Sequence, residues 1–155
     1  MRYHFKIHKE KDGFWAECME LQGCMTEGNS KEELFENMQE ALNAYLEEPD
    51  DSKYLAALPK KSIKLSHNVV EVPVDPSVAF AFSVRYQRIK HGLTQKEVAD
   101  KLGMKKVFSY QRLERRCNPT LDLINKLVLL EINFIYENIF FWNRHDFNDV
   151  LCGNT

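Results

Sequence analysis

The four cysteine thiols are the side chains of this sequence best suited to holding a metal ion or forming a covalent cross-link. They stand at Cys18, Cys24, Cys117 and Cys152. A structural zinc site is built from two tight clusters of cysteine or histidine, and no second pair at ligand spacing accompanies Cys18 and Cys24. We therefore expect small buried thiols, with no metal and no cofactor.

Charge divides the chain into segments of opposite sign. Residues 1–77 hold nine Lys and Arg against fifteen Asp and Glu, which gives −6, and residues 78–130 hold eleven against four, which gives +7. Residues 131–155 add one basic and four acidic side chains, so the whole chain carries −2. This division predicts two domains with different partners, and nucleic acid is the natural partner of the basic one.

The overall composition is that of an ordinary globular protein. Apolar residues make up 44% of the chain and charged residues 28%, which argues against a disordered or coiled-coil chain. No run approaches the roughly 20 consecutive apolar residues of a membrane span. The strand-like start MRYHFKIHKE lacks the apolar segment of a secretory signal. These features predict a soluble cytoplasmic protein without membrane contact.

Three short strands are predicted at the start of the chain. Residues 3–8 and 14–19 alternate between apolar and polar side chains, as half-buried strands do. Asp12 and Gly13 lie between them and are typical of a hairpin turn. A third segment covers residues 24–27 and is closed by Gly28.

One helix and one further strand complete the acidic half. Ser30 and Glu33 have the spacing of a capping box, and apolar residues then recur at helical spacing, so the helix should cover one face of the sheet. The β-branched run at residues 69–72 predicts a last strand. The predicted order is β-β-β-α-β, a small α+β unit.

These elements carry a recognisable pattern over residues 3–47. The sequence reads F-K-I…D-G-F-W-A-E-C…L-Q-G-C-M-T-E-G…S-K-E-E-L-F-E-N-M-Q-E-A-L. It resembles the N-terminal domain of HicB-type antitoxins, described as a partial RNase H-like fold. The resemblance implies a fold related to a nuclease, so a catalytic role has to be weighed.

The carboxylates argue against that role. Nucleases of the RNase H type cluster carboxylates around two metal ions. The first strand has no acidic residue between Tyr3 and Lys9, Asp12 belongs to the turn, and Glu17 has no obvious second carboxylate beside it. We therefore expect that this protein is not an enzyme.

The sheet face opposite the helix is the candidate surface for a protein partner. Alternation places Trp15 and Glu17 on that face, and aromatic anchors dominate interface energies. Trp15 could equally pack against residues 48–66 or against a dimer mate, and both interpretations stay open. The residues predicted to bind a partner are Trp15, Glu17, Met19 and Glu20.

The basic half is predicted to be all-α, with four helices. Thr94 and Glu97 form a second capping box, and Gly103 ends that helix. A third helix is expected near residues 107–115, and a fourth follows it. A short capped helix, a glycine turn and another helix in a basic segment are typical of a helix-turn-helix.

The detailed string R-I-K-H-G-L-T-Q-K-E-V-A-D-K-L-G…Y-Q-R-L-E, within residues 78–130, resembles the phage-repressor-like class, also called XRE or Cro/CI. The resemblance implies that Gln95 contacts a phosphate and that the third helix faces the major groove. There Arg112 could read guanine, Gln111 adenine, and Phe108 a thymine methyl. The residues predicted to bind DNA are Thr94, Gln95, Lys105, Lys106, Phe108, Ser109, Gln111, Arg112, Arg115 and Arg116.

Two details of this resemblance bear on the third helix. Arg88 and Glu114 match the structural ion pair of the class, so Arg88 is not counted as a DNA contact. The stretch from Gly103 to Leu113 is one residue longer than in most of the class, which leaves the register at residues 105–108 open.

The order of the two halves resembles one subclass of HicB antitoxins across residues 3–130. This implies an antitoxin of a type II toxin-antitoxin system. It would neutralise a small basic, RNA-cleaving HicA-like toxin by direct binding, and repress its own operon as a homodimer or higher oligomer on operator DNA. The expected domains are residues 1–74, which bind the toxin, and 75–132, which bind DNA. Residues 133–155 form an apolar tail whose role the sequence leaves open.

A stand-alone XRE-family transcriptional repressor is the alternative. Its N-terminal domain would sense a small ligand or only dimerise. The same sequence features fit both functions, and the adjacent gene separates them.

Overall fold

The computed structural model of the chain describes residues 1–47, 54–115 and 117–129. The predictions made for Arg116 and for the tail at residues 133–155 lie outside these ranges. The fold class is α+β, as predicted, with one four-stranded antiparallel sheet and five α-helices among the described residues.

The sheet is formed by the predicted strands. They are β1 (Arg2–Lys9), β2 (Phe14–Cys18), β3 (Met25–Gly28) and β4 (Val69–Pro73), in the order β3-β2-β1-β4. The register places Phe5 opposite Cys18 on β2 and Val70 on β4. Because opposed residues share a face, this register gathers the apolar side chains on one side.

Helix α1 (Lys31–Leu46) covers that apolar side. Leu34, Met38 and Leu42 of the helix are fully buried with Tyr3 and Phe5 of β1. The helix provides the second layer that a one-sided sheet needs in order to exclude water.

The start of α1 differs in detail from the predicted capping box. The Ser30 hydroxyl accepts a hydrogen bond from the Glu33 backbone N–H at 3.1 Å, as expected. The Glu33 carboxylate, however, accepts from the Asn29 backbone N–H at 2.9 Å instead of from Ser30. The second hydrogen bond of the capping box is therefore donated by Asn29, the residue before the N-cap.

The remaining helices are α2 (Pro76–Lys90), α3 (Gln95–Lys101), α4 (Val107–Gln111) and α5 (Leu121–Leu129). The predicted third helix at residues 107–115 was too long. Its α-helical part ends at Gln111, and Arg112–Glu114 continue it as a 3-10 turn before Arg115 turns extended. The register at residues 105–108, which the sequence left open, follows from the structure: α4 begins at Val107, and Tyr110 is its buried residue.

Helix α2 contributes to both hydrophobic cores of the molecule. Val78 and Phe82 pack in the core under the sheet, whereas Phe80 and Val84 pack with Val98 of α3 in the second core. The predicted division between residues 74 and 75 stays a prediction. We call residues 1–74 the acidic unit and residues 75–132 the basic unit; the hydrophobic cores of the two units share helix α2.

Polar contacts add to this connection between the units. The Arg85 guanidinium of α2 is buried and donates to the Leu46 carbonyl at the end of α1 at 2.7 Å. The Asn43 side chain accepts from the Asp75 backbone N–H at 3.0 Å. The start of α2 is thereby fixed against α1.

Candidate nucleic-acid interface and protein-contact surface

A buried carboxylate at the end of the 3-10 turn organises the basic unit. The Glu114 side chain is fully buried and pairs with the Arg88 guanidinium, whose Nη2 lies 2.9 Å from Oε2. The hydroxyl of Tyr110 donates to the same carboxylate at 2.8 Å, and the Gln95 amide donates at 2.9 Å. The ion pair implied by the resemblance is confirmed.

Protonation states in this cluster follow from burial and charge. Burial opposes the charge on Arg88, but its hydrogen bonds and attraction to Glu114 raise the pKa of the guanidinium overall. Burial and the neighbouring Glu114 carboxylate raise the pKa of Tyr110. The cluster is therefore one buried ion pair with a neutral phenol as a third partner.

The cluster extends to the surface through two glutamines. The Gln95 amide nitrogen donates to Glu114, and its Oε1 accepts from the Gln111 amide at 3.0 Å. Since Gln111 turns its nitrogen towards Gln95, its amide orientation is set by the protein. A preset amide loses less conformational freedom on binding than a free one.

The start of α3 is held by the predicted capping box. The Thr94 hydroxyl accepts from the Glu97 backbone N–H at 3.2 Å, and Glu97 accepts from the Thr94 backbone N–H at 2.7 Å. Hydrogen bonds from Thr94 lower the pKa of the Glu97 carboxyl. This confirms the local structure that places Gln95 at the first turn of α3.

The other predicted DNA-binding residues surround the two glutamines on the surface. Gln95 and Gln111 are half-buried. Phe108 is 60% exposed. The exposed members of the predicted set are Thr94, Lys105, Lys106, Phe108, Ser109, Arg112 and Arg115.

On the acidic unit, the sheet face away from α1 carries an aromatic stack. The His8 and Trp15 rings are parallel within 9°, with centroids 4.0 Å apart, and His8 Nε2 lies 3.1 Å from the Glu17 carboxylate. Met25, opposite Glu17 in the register, is 58% exposed. The His8 ring therefore holds the Trp15 ring in place on this face of the sheet.

A groove with acidic walls adjoins this stack. It has a volume of about 490 Å³ and lies between the β1–β2 hairpin and the start of α1. Phe14 and Trp15 line it together with Lys11, and its carboxylates come from Glu10, Asp12, Glu27 and Glu33.

The structure separates Glu20 from the rest of the predicted partner-binding set. Its side chain is fully buried and lies 2.6 Å from Nδ1 of the buried His4. It also accepts from the backbone N–H groups of His4 and Lys60. Glu20 therefore anchors a loop from inside, whereas Met19 beside it is exposed.

Sequence reasoning missed His8 and Met25 on this surface. The hairpin at Asp12 and Gly13 could have located His8, because it sets the register that places His8 opposite Trp15. The turn at residues 19–23 sets the register of β2 and β3 in the same way, and it could have located Met25 opposite Glu17. No local sequence pattern predicts the contact between Glu20 and His4.

Two further observations concern the described residues. No group of three or more His, Cys, Asp or Glu in these ranges is placed to hold a metal ion. No helix within them is both long enough and apolar enough to cross a membrane.

Comparison with known proteins found two UPF0150 relatives. A UPF0150 protein of Helicobacter pylori is 36% identical over 75 residues, which cover 92% of that protein and 48% of this chain. This chain belongs to the UPF0150 family. A UPF0150 protein of Thermoplasma acidophilum is 40% identical over 48 residues, 70% of its length and 30% of this chain. No family model matches the chain. Each UPF0150 match leaves more than half of this chain uncovered.

Proposed function

We propose that this protein is an antitoxin that binds a HicA-like toxin through its acidic unit and represses its own operon through the helix-turn-helix of its basic unit. The observation that carries the proposal is the Glu114 cluster. It holds Gln95 and Gln111 at a surface where Arg112, Lys105 and Lys106 are exposed. Oriented amide side chains can hydrogen-bond base edges in the DNA major groove. Exposed cations beside them can contact the phosphates.

The second half of the proposal draws on charge and on the family. UPF0150 proteins are related to HicB-like antitoxins. The acidic groove beside the His8–Trp15 stack offers carboxylates and an aromatic surface together. A basic RNA-cleaving protein suits such a surface, because complementary charge speeds association and excludes wrong partners.

The DNA-binding half is tested with Arg112→Ala. On a fragment from upstream of the gene, loss of a contact that reads guanine should weaken binding by about 1–3 kcal/mol and remove the preference at one base pair. Lys64→Ala removes the same charge from an exposed position in the acidic half and should bind as wild type. Fluorescence anisotropy on a set of single-base variants measures both. Equal weakening on every sequence would make Arg112 a phosphate contact, and wild-type binding would remove this interface from the proposal.

The toxin-binding half is tested with the double variant Trp15→Ala, Glu17→Ala. In cells that express the toxin, this variant should fail to restore growth while its operator affinity stays unchanged. Phe35→Ala is the matched control, since it removes an exposed aromatic ring from α1, on the other side of the sheet. Full neutralisation by the double variant would move the toxin interface to another surface.

A further inference from the structure

Cys18, the last residue of β2, lies next to Cys24, the residue before β3. Glu17 pairs with Met25 in the register, and one step further the Cys18 backbone N–H donates to the Cys24 carbonyl at 2.8 Å. Opposed residues of an antiparallel pair project from the same face. Both thiols are accordingly buried in the core under the sheet, at 7% and 4% exposure.

This arrangement has the dimensions that a disulfide needs. Opposed residues in antiparallel strands have Cα atoms about 4.5–5.5 Å apart, and disulfides join Cα atoms that are about 4.4–6.8 Å apart. The Cα separation expected for this pair is therefore one that a disulfide can bridge.

The electrostatics of the pair favour one sulfur as the nucleophile. The Cys18 thiol donates to Glu20 Oε2 at 3.7 Å, and the hydrogen bond between the two cysteine side chains lowers the pKa of Cys24, although burial opposes this. The same hydrogen bond, together with burial, raises the pKa of Cys18. The thiolate is the reactive form of cysteine, so Cys24 should react first and Cys18 should then resolve the product.

We propose that Cys18 and Cys24 are a modification site, a dithiol that a small peroxide oxidises to an intramolecular disulfide. The Cys24 thiolate attacks one oxygen of hydrogen peroxide, the O–O bond breaks, and hydroxide leaves to take up the released proton. The Cys18 sulfur then attacks the resulting sulfenic acid, the S–O bond breaks, and water leaves. In total, two thiols and one peroxide give one disulfide and two waters; the sulfurs are oxidised and the peroxide is reduced.

The disulfide would close a ring around the loop at residues 19–23. This loop presents Met19 at the surface and buries Leu21 in the core. Glu20 within it is already anchored to His4. Oxidation would therefore restrain a segment next to the sheet surface without disturbing the second core.

The test uses the full chain with Cys117→Ser and Cys152→Ser, so that only the pair remains. Trypsin releases residues 12–31 as one peptide that holds both thiols. Folded protein treated with hydrogen peroxide, then unfolded and alkylated, should yield this peptide about 2 Da lighter than the reduced form and free of alkyl groups. Dithiothreitol should restore two alkylated thiols.

Two control samples make the result decisive. The variant with Cys18→Ala added should keep Cys24 as an alkylatable thiol after the same peroxide treatment, because it removes both the resolving thiol and the hydrogen bond that lowers the pKa of Cys24. The protein that keeps Cys18 and Cys24, unfolded in urea and treated in the same way, shows that the peroxide is active. The proposal is overturned if the folded protein keeps two alkylatable thiols while the unfolded one is oxidised, or if oxidation gives cross-linked dimers or a sulfinic acid instead of the internal disulfide.

Discussion

At the scale of single residues, Glu114 connects folding with the candidate DNA interface. Its buried carboxylate holds Arg88, Tyr110 and Gln95, and Gln95 in turn orients Gln111. The side chains expected to meet DNA are therefore positioned by residues that never reach it. A change at Glu114 should affect both stability and binding.

We expect Glu114→Gln to lower the free energy of unfolding by about 3–5 kcal/mol, because it leaves the Arg88 guanidinium buried without its counter-charge. Urea unfolding measures the change. Asp122→Asn is the matched control, since it removes an exposed carboxylate from the ion pair with Lys126 and should change stability by no more than about 0.5 kcal/mol. Equal effects of the two variants would contradict the structural role assigned to Glu114.

The Glu97 carboxyl gives a prediction about pH. Its pKa is lowered in the folded state by hydrogen bonds from Thr94, so the stabilisation is present above the unfolded pKa and is lost as pH falls through the folded one. Amide exchange in α3 should therefore speed up relative to β1 under acidic conditions. In Glu97→Gln this extra pH dependence should disappear, and its persistence would place the titrating group elsewhere.

At the scale of elements, β3 and α1 lie close together at Gly28. A Cβ atom at this position would lie 2.7 Å from the Leu34 backbone nitrogen and 2.8 Å from its Cα. These are backbone atoms at the first turn of α1, so they cannot move aside as a flexible side chain could.

We expect Gly28→Ala to destabilise the protein by about 1–3 kcal/mol through overpacking. Gly23→Ala is the comparison, because a Cβ there would meet no atom within 4 Å and only the backbone angle, φ 85°, is unfavourable. Its cost should be about 1–2 kcal/mol, from the left-handed backbone alone. Thermal unfolding measures both variants, and wild-type stability of Gly28→Ala would contradict the close contact.

The elements themselves could be predicted from the sequence because their signals are local. Alternation marked the strands, Thr94 and Glu97 marked the start of α3, and Gly103 marked its end. The role of Glu20 could not be predicted, since its partner His4 is sixteen residues away and no spacing rule connects them. Of the candidate site, residue types suggested the exposed set, but the link between Gln95 and Gln111 depends on tertiary packing.

At the scale of the whole molecule, the shared helix α2 connects the two units. The structure shows two apolar faces on α2, one in each core. A helix buried on both sides has no clear periodicity, so the sequence alone does not assign these faces. The expected consequence is that the two units unfold together.

Phe82→Ala tests this cooperativity. Phe82 is buried in the core under the sheet, and its truncation should cost about 3–5 kcal/mol. Because α2 belongs to both cores, protection from hydrogen exchange should fall in β1 and in α3 alike, whereas Phe35→Ala should leave both unchanged. Wild-type protection of α3 in Phe82→Ala would show that the units unfold independently.

The most direct test of the antitoxin proposal is to identify what the protein binds in its own cell. The tagged chain is expressed at native level, purified after nuclease treatment, and examined for a partner at stoichiometric yield. The proposal predicts a small basic protein whose expression alone arrests growth and whose effect this chain relieves. A chain that purifies without any protein partner, yet still binds a discrete operator as a homo-oligomer, would contradict the antitoxin function and leave a stand-alone repressor.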